Sequence, residues 1–170
     1  MKRIKFWVKK LINAIEGKPC FICEYSKDSS KISYTLIYED NNFIAFLDKY
    51  PTSKGYTLVS PKKHIQDITQ LTPEEYLKMQ KIIHNVSNAI KKAFSPNRIC
   101  LFQLGGVAPH LHFHIVPIYG TLTEQVLDII KKKSILEFSE KENTLIANKI
   151  RKNMKWSKSL FKSSNSLVIK

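Results

Sequence analysis

Five short apolar runs along the chain have the length of β-strands, and one longer run has the spacing of a helix. An Asp-Asn-Asn sequence joins the first two short runs, which favours a β-hairpin between them. Strands on both sides of a single long helix predict an α+β domain with an antiparallel sheet of about five strands. The predicted strands are residues 34–39, 43–48, 56–60, 99–104 and 110–116.

The predicted helix begins after Thr72. Thr72 has the character of an N-cap, Pro73 suits the first helical position, and Glu75 completes a capping box. The apolar residues that follow lie three and four positions apart, and the helix should stop before Pro96. We expect one buried helix face, formed by Tyr76, Met79, Ile83, Val86 and Ile90.

Three histidines occupy alternate positions in the last predicted strand, with apolar residues between them. Side chains of a strand alternate between its two faces, so the imidazoles would project from one face about 7 Å apart. Imidazole titrates near neutral pH and can act as nucleophile, acid, base or metal ligand. Three such groups on one face indicate a chemical role for His110, His112 and His114, while Leu111, Phe113 and Ile115 enter a core.

The two ends of the chain differ from its middle in charge. The 170 residues carry a formal net charge of +14, to which residues 1–18 contribute +5 and residues 149–170 contribute +7. Residues 1–18 have the spacing of a short basic amphipathic helix, and residues 121–170 read as largely helical with a loose end. We therefore predict a central domain at 19–120 between basic extensions. Their charge fits solvated tails, or attraction to nucleic acid or anionic lipid.

Two of the three cysteines form a Cys-X-X-Cys pair, Cys20 and Cys23, which has the spacing of half a tetrahedral zinc site. This usage does not fit a secreted disulfide scaffold, and the first residues lack a signal-peptide hydrophobic region, so we expect a cytoplasmic protein. Histidines would have to complete the site, and His64 plus one strand histidine are the candidates. His84 reads as a surface residue of the helix, and a metal-free thiol pair is the alternative.

Gly105 and Gly106 directly precede the histidine run, where backbone N–H groups of a turn can face an anion such as phosphate. The chain has neither a Gly-X-Ser-X-Gly elbow nor a Walker-type loop, so no other familiar mechanism competes. Neighbouring imidazoles can divide the work, since one attacks while another orients it or protonates a leaving group.

These motifs together resemble the histidine-triad superfamily of nucleotide hydrolases and transferases. Residues 110–116 have the family's form, in which three histidines alternate with apolar residues. The Cys-X-X-Cys pair, the Phe-Leu-Asp sequence at 46–48 and the stretch at 55–64 follow in the family's order. The resemblance covers about residues 19–120, and it implies the antiparallel fold, a purine nucleotide substrate and a homodimer.

The resemblance also implies roles for the three histidines. His112, in the middle, would attack an α-phosphorus and form a covalent nucleotidyl-imidazole, which water then releases as a nucleoside monophosphate. His110 and His114 would orient the nucleophile and contact the phosphate or the leaving group.

Binding residues follow from the same resemblance. Asp48 would bind the ribose hydroxyls, and the base and phosphate would lie near Phe21, Phe43, Phe46, Gly105 and Gly106. Zinc-bearing relatives imply a structural zinc held by Cys20, Cys23, His64 and His110. The resemblance thus implies two competing roles for His110, one beside the nucleophile and phosphate and one as a zinc ligand.

The chain departs from the family at three places. Gly106 stands where many members carry a phosphate-holding glutamine, Ile118 replaces a frequent arginine, and only Gln103 lies near the position of a frequent asparagine. The expected activity is hydrolysis of a nucleoside phosphoramidate or a dinucleoside polyphosphate. One alternative is a non-catalytic nucleotide- or nucleic-acid-binding protein that acts through its basic ends. Another is an enzyme that removes nucleotidyl groups from nucleic-acid ends.

Overall fold

The computed structural model describes residues 20–27, 34–103, 109–121 and 134–155. Within these ranges, five strands form one sheet in the order β1-β2-β3-β5-β4, and every neighbouring pair is antiparallel. The predicted α+β fold and its five-stranded sheet are confirmed. The elements are α1 (Phe21–Lys27), β1 (Leu36–Glu39), β2 (Phe43–Leu47), β3 (Thr57–Pro61), a 3-10 turn (Ile68–Gln70), α2 (Pro73–Phe94), β4 (Arg98–Phe102), β5 (Phe113–Ile118) and α3 (Glu140–Asn153).

Helix α2 begins and ends where the sequence predicts. The Thr72 hydroxyl accepts a hydrogen bond from the Glu75 backbone N–H at 3.2 Å, and the Glu75 carboxylate accepts one from the Thr72 N–H at 2.9 Å. Ser95 ends the helix with a left-handed backbone at φ 51°. Tyr76 is 38 % exposed, contrary to prediction, because the buried stripe starts one turn later, at Met79. The other predicted positions are buried, namely Met79, Ile83, Val86 and Ile90.

The sheet separates two cores. Helices α2 and α3 cover one face, called here the helix face, and α1 packs on the other, called the α1 face. Side chains of β5 alternate between them, so that Phe113 and Ile115 lie on the helix face and Val116 on the α1 face. Residues that lie an even number of positions from Val116 in this strand therefore project their side chains toward α1. The α1-face core consists of Ile22, Tyr25, Ile44, Phe46, Tyr56, Leu58, Val116 and Ile118.

Helix α3 contributes to the core of the central domain, although it lies in the predicted C-terminal extension. Ile146, Ala147 and Ile150 are buried among residues of α2 and the sheet. The segment before α3 is tied to the loop before β3, since the Leu136 backbone N–H donates to the Pro51 carbonyl at 2.8 Å. The predicted N-terminal helix at 1–18 lies outside the described residues. None of the helices that the structure describes has both the length and the apolar character needed to cross a bilayer.

Ile150→Ala is expected to lower the free energy of unfolding by about 2–5 kcal/mol, because a fully buried side chain would leave a cavity between α3 and the sheet. Leu145 lies in the same helix but is 60 % exposed, so Leu145→Ala should change that free energy by less than about 0.5 kcal/mol. Denaturant unfolding of both variants measures the difference. Equally small changes in the two variants would show that α3 unfolds independently of the domain.

Candidate functional site

The histidine run is only partly a strand. β5 begins at Phe113, whereas the sequence predicts a strand from residue 110. The difference arises because Leu111 makes hydrogen bonds outside the sheet ladder: its N–H donates to the Ile65 carbonyl at 2.7 Å, and its carbonyl accepts from the Ser60 hydroxyl at 2.7 Å. The His112 and His114 rings still share the α1 face, with centroids 4.8 Å apart.

His112 is held in one tautomer by a backbone carbonyl. Its Nδ1 lies 2.7 Å from the carbonyl oxygen of His110. A carbonyl oxygen only accepts hydrogen bonds, so Nδ1 carries the proton and the lone pair of the neutral ring is at Nε2. The ring is buried, which limits its rotation. This is the protonation state that a nucleophilic imidazole requires.

His114 lies on β5 with a different set of neighbours. Its Nδ1 is 2.8 Å from the hydroxyl of Tyr56, which immediately precedes β3. The ring of Phe102, on β4, stacks on the imidazole with centroids 4.8 Å apart and an interplanar angle of 19°. Register explains both contacts, because His114 pairs with Leu58 of β3 and with Phe102 of β4. Sequence reasoning identified neither Tyr56 nor Phe102.

The predicted metal ligands form one cluster. Cys20, Cys23, His64 and His110 offer ligand atoms that all lie within 4.8 Å of one another. Sγ of Cys20 lies 3.2 Å from Nδ1 of His110, and Sγ of Cys23 lies 3.1 Å from Nδ1 of His64. The cysteines come together because they are three residues apart at the start of α1.

The cluster has the donor chemistry of a closed tetrahedral zinc site. Two sulfurs and two imidazole nitrogens are ligands that structural zinc prefers. Zinc–ligand bonds of about 2.0–2.3 Å in a tetrahedron separate the ligand atoms by roughly 3.3–3.8 Å, close to the 3.1, 3.2 and 3.5 Å of three sulfur–nitrogen pairs here. The Nε2–H of His110 donates to the Pro61 carbonyl at 2.8 Å, which leaves the Nδ1 lone pair directed at the sulfurs. Burial lowers the pKa of His110, which favours the neutral ring that metal ligation needs.

The same contacts distinguish between the two assignments of His110. One ring nitrogen faces the cysteines and the other donates to Pro61, and the residue is fully buried. The geometry therefore places the His110 ring beside Cys20, Cys23 and His64, where it could serve as a metal ligand. Its backbone carbonyl is the part that reaches the nucleophile, through His112.

Phe21, Tyr34 and Phe46 form an aromatic group on the α1 face. Tyr34 stacks on Phe46 with ring centroids 4.4 Å apart, and Phe21 meets Tyr34 edge to face at 6.1 Å. Phe43 is not with them, since it is 1 % exposed in the helix-face core. Phe43 and Phe46 are three residues apart in one strand, an odd spacing that directs their side chains to opposite faces. That spacing is visible in the sequence, whereas the approach of Tyr34 is not.

Asp48 directly follows β2 and lies next to Tyr56. The Asp48 backbone N–H donates to the Tyr56 carbonyl at 2.9 Å, and its carboxylate accepts from the Tyr50 N–H at 2.9 Å. Burial and the negative charge of Asp48 raise the pKa of the Tyr56 phenol. The phenol therefore stays protonated at neutral pH.

The remaining candidates lie elsewhere. His84 is exposed on α2 beside Asn88, as predicted for a surface residue. Ile118, at the position of the family's frequent arginine, is buried in the α1-face core and contributes packing. Gly105 and Gly106 lie outside the described residues.

Comparison with known proteins identifies the family of the chain. The HIT domain family model matches residues 29–121. A HIT-like protein of Methanocaldococcus jannaschii is 33% identical over 104 residues, covering 59% of this chain and 79% of the relative. An adenosine 5'-monophosphoramidase of Schizosaccharomyces pombe is 32% identical over 103 residues, 58% of this chain and 73% of the relative. The crystal structure of a hypothetical histidine triad nucleotide-binding protein from Sulfolobus tokodaii is 28% identical, with a TM-score of 0.65 over 79% of this chain and 91% of that one. With the family model covering more than half of its length, the chain belongs to the HIT domain family, the histidine-triad superfamily.

Proposed function

We propose that the protein hydrolyses nucleotides at the α-phosphorus through a covalent nucleotidyl intermediate on His112. The observation that carries the proposal is the hydrogen bond from His112 Nδ1–H to the His110 carbonyl, which leaves the lone pair at Nε2. His114 lies beside it, with the two ring centroids 4.8 Å apart. A nucleophile and a second imidazole next to it are the groups that phosphoryl substitution by histidine needs.

The reaction would take place in two displacements at phosphorus. In the first, the Nε2 lone pair of His112 forms a bond to the α-phosphorus as the bond to the leaving group breaks, and the leaving group takes up a proton. In the second, water attacks the phosphorus and loses a proton while the P–N bond breaks. The nucleoside monophosphate leaves, and His112 returns to its neutral form. The His110 carbonyl accepts the Nδ1–H bond throughout and stabilises the positive charge on the nucleotidylated ring.

The nucleotide would lie on the α1 face. Phe21 and Tyr34, which are partly exposed, would supply the aromatic surface for a purine base, and the buried Phe46 packs beneath Tyr34. Asp48, at the end of β2, offers a carboxylate that accepts hydrogen bonds from ribose hydroxyls. Phe43 has no part in this site, since it lies on the helix face.

A structural zinc ion is part of the proposal. Bound by Cys20, Cys23, His64 and His110, it would cross-link α1, the chain after β3 and the chain before β5. All four ligand positions would come from the protein, so the metal would fix the position of the His110 carbonyl rather than activate water. A homodimer is also proposed, because β4 forms one edge of the sheet and an edge strand has backbone groups that can pair with a second chain.

A substrate comparison tests the function. The protein would be incubated with adenosine 5'-phosphoramidate and with a diadenosine polyphosphate, and release of adenosine monophosphate would be measured. The relative named a monophosphoramidase supports the phosphoramidate as the better substrate. Rapid acid quenching followed by peptide mass spectrometry should find the nucleotidyl group on His112. Folded, metal-loaded protein that turns over neither compound would overturn the proposal and favour a binding protein that acts through its basic ends.

A further inference from the structure

The hydroxyl of Tyr56 is directed at one ring nitrogen of His114. The two atoms are 2.8 Å apart, and the tyrosine is 1 % exposed. The backbone on which Tyr56 sits is itself held, because its N–H donates to the Ser53 carbonyl at 3.2 Å and its carbonyl accepts from the Asp48 N–H at 2.9 Å. A fully buried ring on a hydrogen-bonded backbone presents its hydroxyl at one fixed point.

The partner of that hydroxyl determines which nitrogen of His114 carries the proton. Where the phenol is the donor to a neutral imidazole, Nδ1 accepts and the proton of His114 lies on Nε2. Burial and Asp48 raise the pKa of Tyr56, so the phenol keeps the proton that it would donate. If His114 becomes cationic, both nitrogens carry protons and the phenol oxygen accepts from Nδ1. The Nε2–H is present in both states.

His112 and His114 thus have opposite tautomers. A carbonyl acceptor holds the proton of His112 on Nδ1, while a hydroxyl donor leaves the proton of His114 on Nε2. His112 is thereby a nucleophile at its Nε2, and the neighbouring His114 is a hydrogen-bond donor at its own Nε2. Phe102 stacks on the second ring at 19° and opposes its rotation.

We propose that Tyr56 is a positioning residue that fixes His114 as its Nε2–H tautomer, so that this ring donates a hydrogen bond to the phosphate attacked by His112. The inference rests on the proposed function for its consequence in catalysis. The tautomer itself is a property of the free protein, and it is measurable without substrate.

Nitrogen NMR tests the tautomer directly. Long-range ¹H–¹⁵N spectra of histidine-labelled protein distinguish protonated from unprotonated ring nitrogens, and His114→Asn identifies the His114 signals. Neutral His114 in the wild type should have an unprotonated Nδ1 and a protonated Nε2. Tyr56→Phe should convert this single tautomer into a mixture. A wild-type Nδ1–H tautomer, or spectra that Tyr56→Phe leaves unchanged, would overturn the inference, and the wild-type spectrum decides even if the variant folds poorly.

Kinetics of the same variant test the consequence. Tyr56→Phe should lower kcat about 10- to 100-fold with KM changed by less than about threefold, because the donor acts on the charge that develops at phosphorus. Tyr38→Phe is the matched control, since Tyr38 is a buried phenol that donates to Asp40 at 2.7 Å and packs on the helix face. The control should leave kcat and the His114 tautomer unchanged.

The two proposals fail in different ways. If the wild type releases no nucleoside monophosphate but its His114 is the Nε2–H tautomer, the proposed function is overturned. The role of Tyr56 in setting the tautomer then still stands. An active wild type in which Tyr56→Phe leaves either the His114 tautomer or kcat unchanged would overturn the proposed role of Tyr56 and leave the proposed function.

Discussion

His112→Ala is expected to lower kcat by about 10,000-fold or more and to abolish the covalent nucleotidyl adduct. The side chain supplies the attacking atom, and no rearrangement of His114 replaces it, because the Nδ1 of His114 faces Tyr56. Removing a nucleophile that acts as one unit with its neighbours costs about as much as removing the whole unit. Steady-state release of nucleoside monophosphate and intact-protein mass spectrometry measure the two effects.

His84→Ala is the matched control for that loss. His84 is exposed on α2 and contacts Asn88, so its removal should leave kcat within about twofold of the wild type. Thermal unfolding distinguishes a loss of catalysis from a loss of folding. His112→Ala removes a hydrogen bond worth about 1 kcal/mol, so the variant should unfold only a few degrees below the wild type. Undiminished turnover by His112→Ala, or an adduct found on another residue, would contradict the proposed nucleophile.

Removing the metal is expected to lower Tm by more than about 10 °C. Purified protein should contain one zinc ion per chain, and a strong chelator or Cys23→Ala should remove it. The loss is large because the ligands come from three separate segments, and because His110 is fully buried with its Nδ1 facing the sulfurs. Turnover should fall as well, since the carbonyl of His110 orients His112. Metal analysis, thermal unfolding and the phosphoramidate assay measure these effects.

Cys100→Ala controls for the loss of a thiol. Cys100 is partly buried in β4, packs against the α1-face core and is outside the metal cluster. This variant should retain its zinc and lose no more than about 1–2 kcal/mol of stability, as for a small truncation in a core. Protein that purifies without metal and unfolds at the same temperature in chelator would show that the cluster is a reduced thiol pair.

Patterns among residues close together in the sequence predicted much of the fold. The N-cap of α2, its capping box and its stop before Pro96 depend on residues within one or two turns, and all three appear as predicted. The hairpin of β1 and β2 is equally local, because Asp40 accepts hydrogen bonds from Asn42 and Phe43 within its own turn. Tyr76 is the exception in α2, since how far the core extends along a helix depends on what packs against it.

The site was predicted as far as spacing and resemblance allowed. Alternation placed His112 and His114 on one face, and the Cys-X-X-Cys spacing brought two sulfurs together at the start of α1. The prediction that Phe43 and Phe46 both border the base was wrong for Phe43, because their odd spacing in one strand directs them to opposite faces. The start of β5 at Phe113 was not predictable, because hydrogen bonds of Leu111 to Ile65 and Ser60 replace the strand ladder there.

By itself, then, the sequence determined the fold class, the long capped helix, the family and the identity of the histidines and cysteines, since these depend on residue type and on spacing along the chain. Only the tertiary structure showed that the His110 ring faces Cys20 and Cys23, and that Tyr56 reaches His114, 58 positions away. It also supplies the contacts from which we infer opposite tautomers for His112 and His114. A tautomer follows from the donor or acceptor within about 3 Å of a ring nitrogen, and only the folded chain determines which group that is.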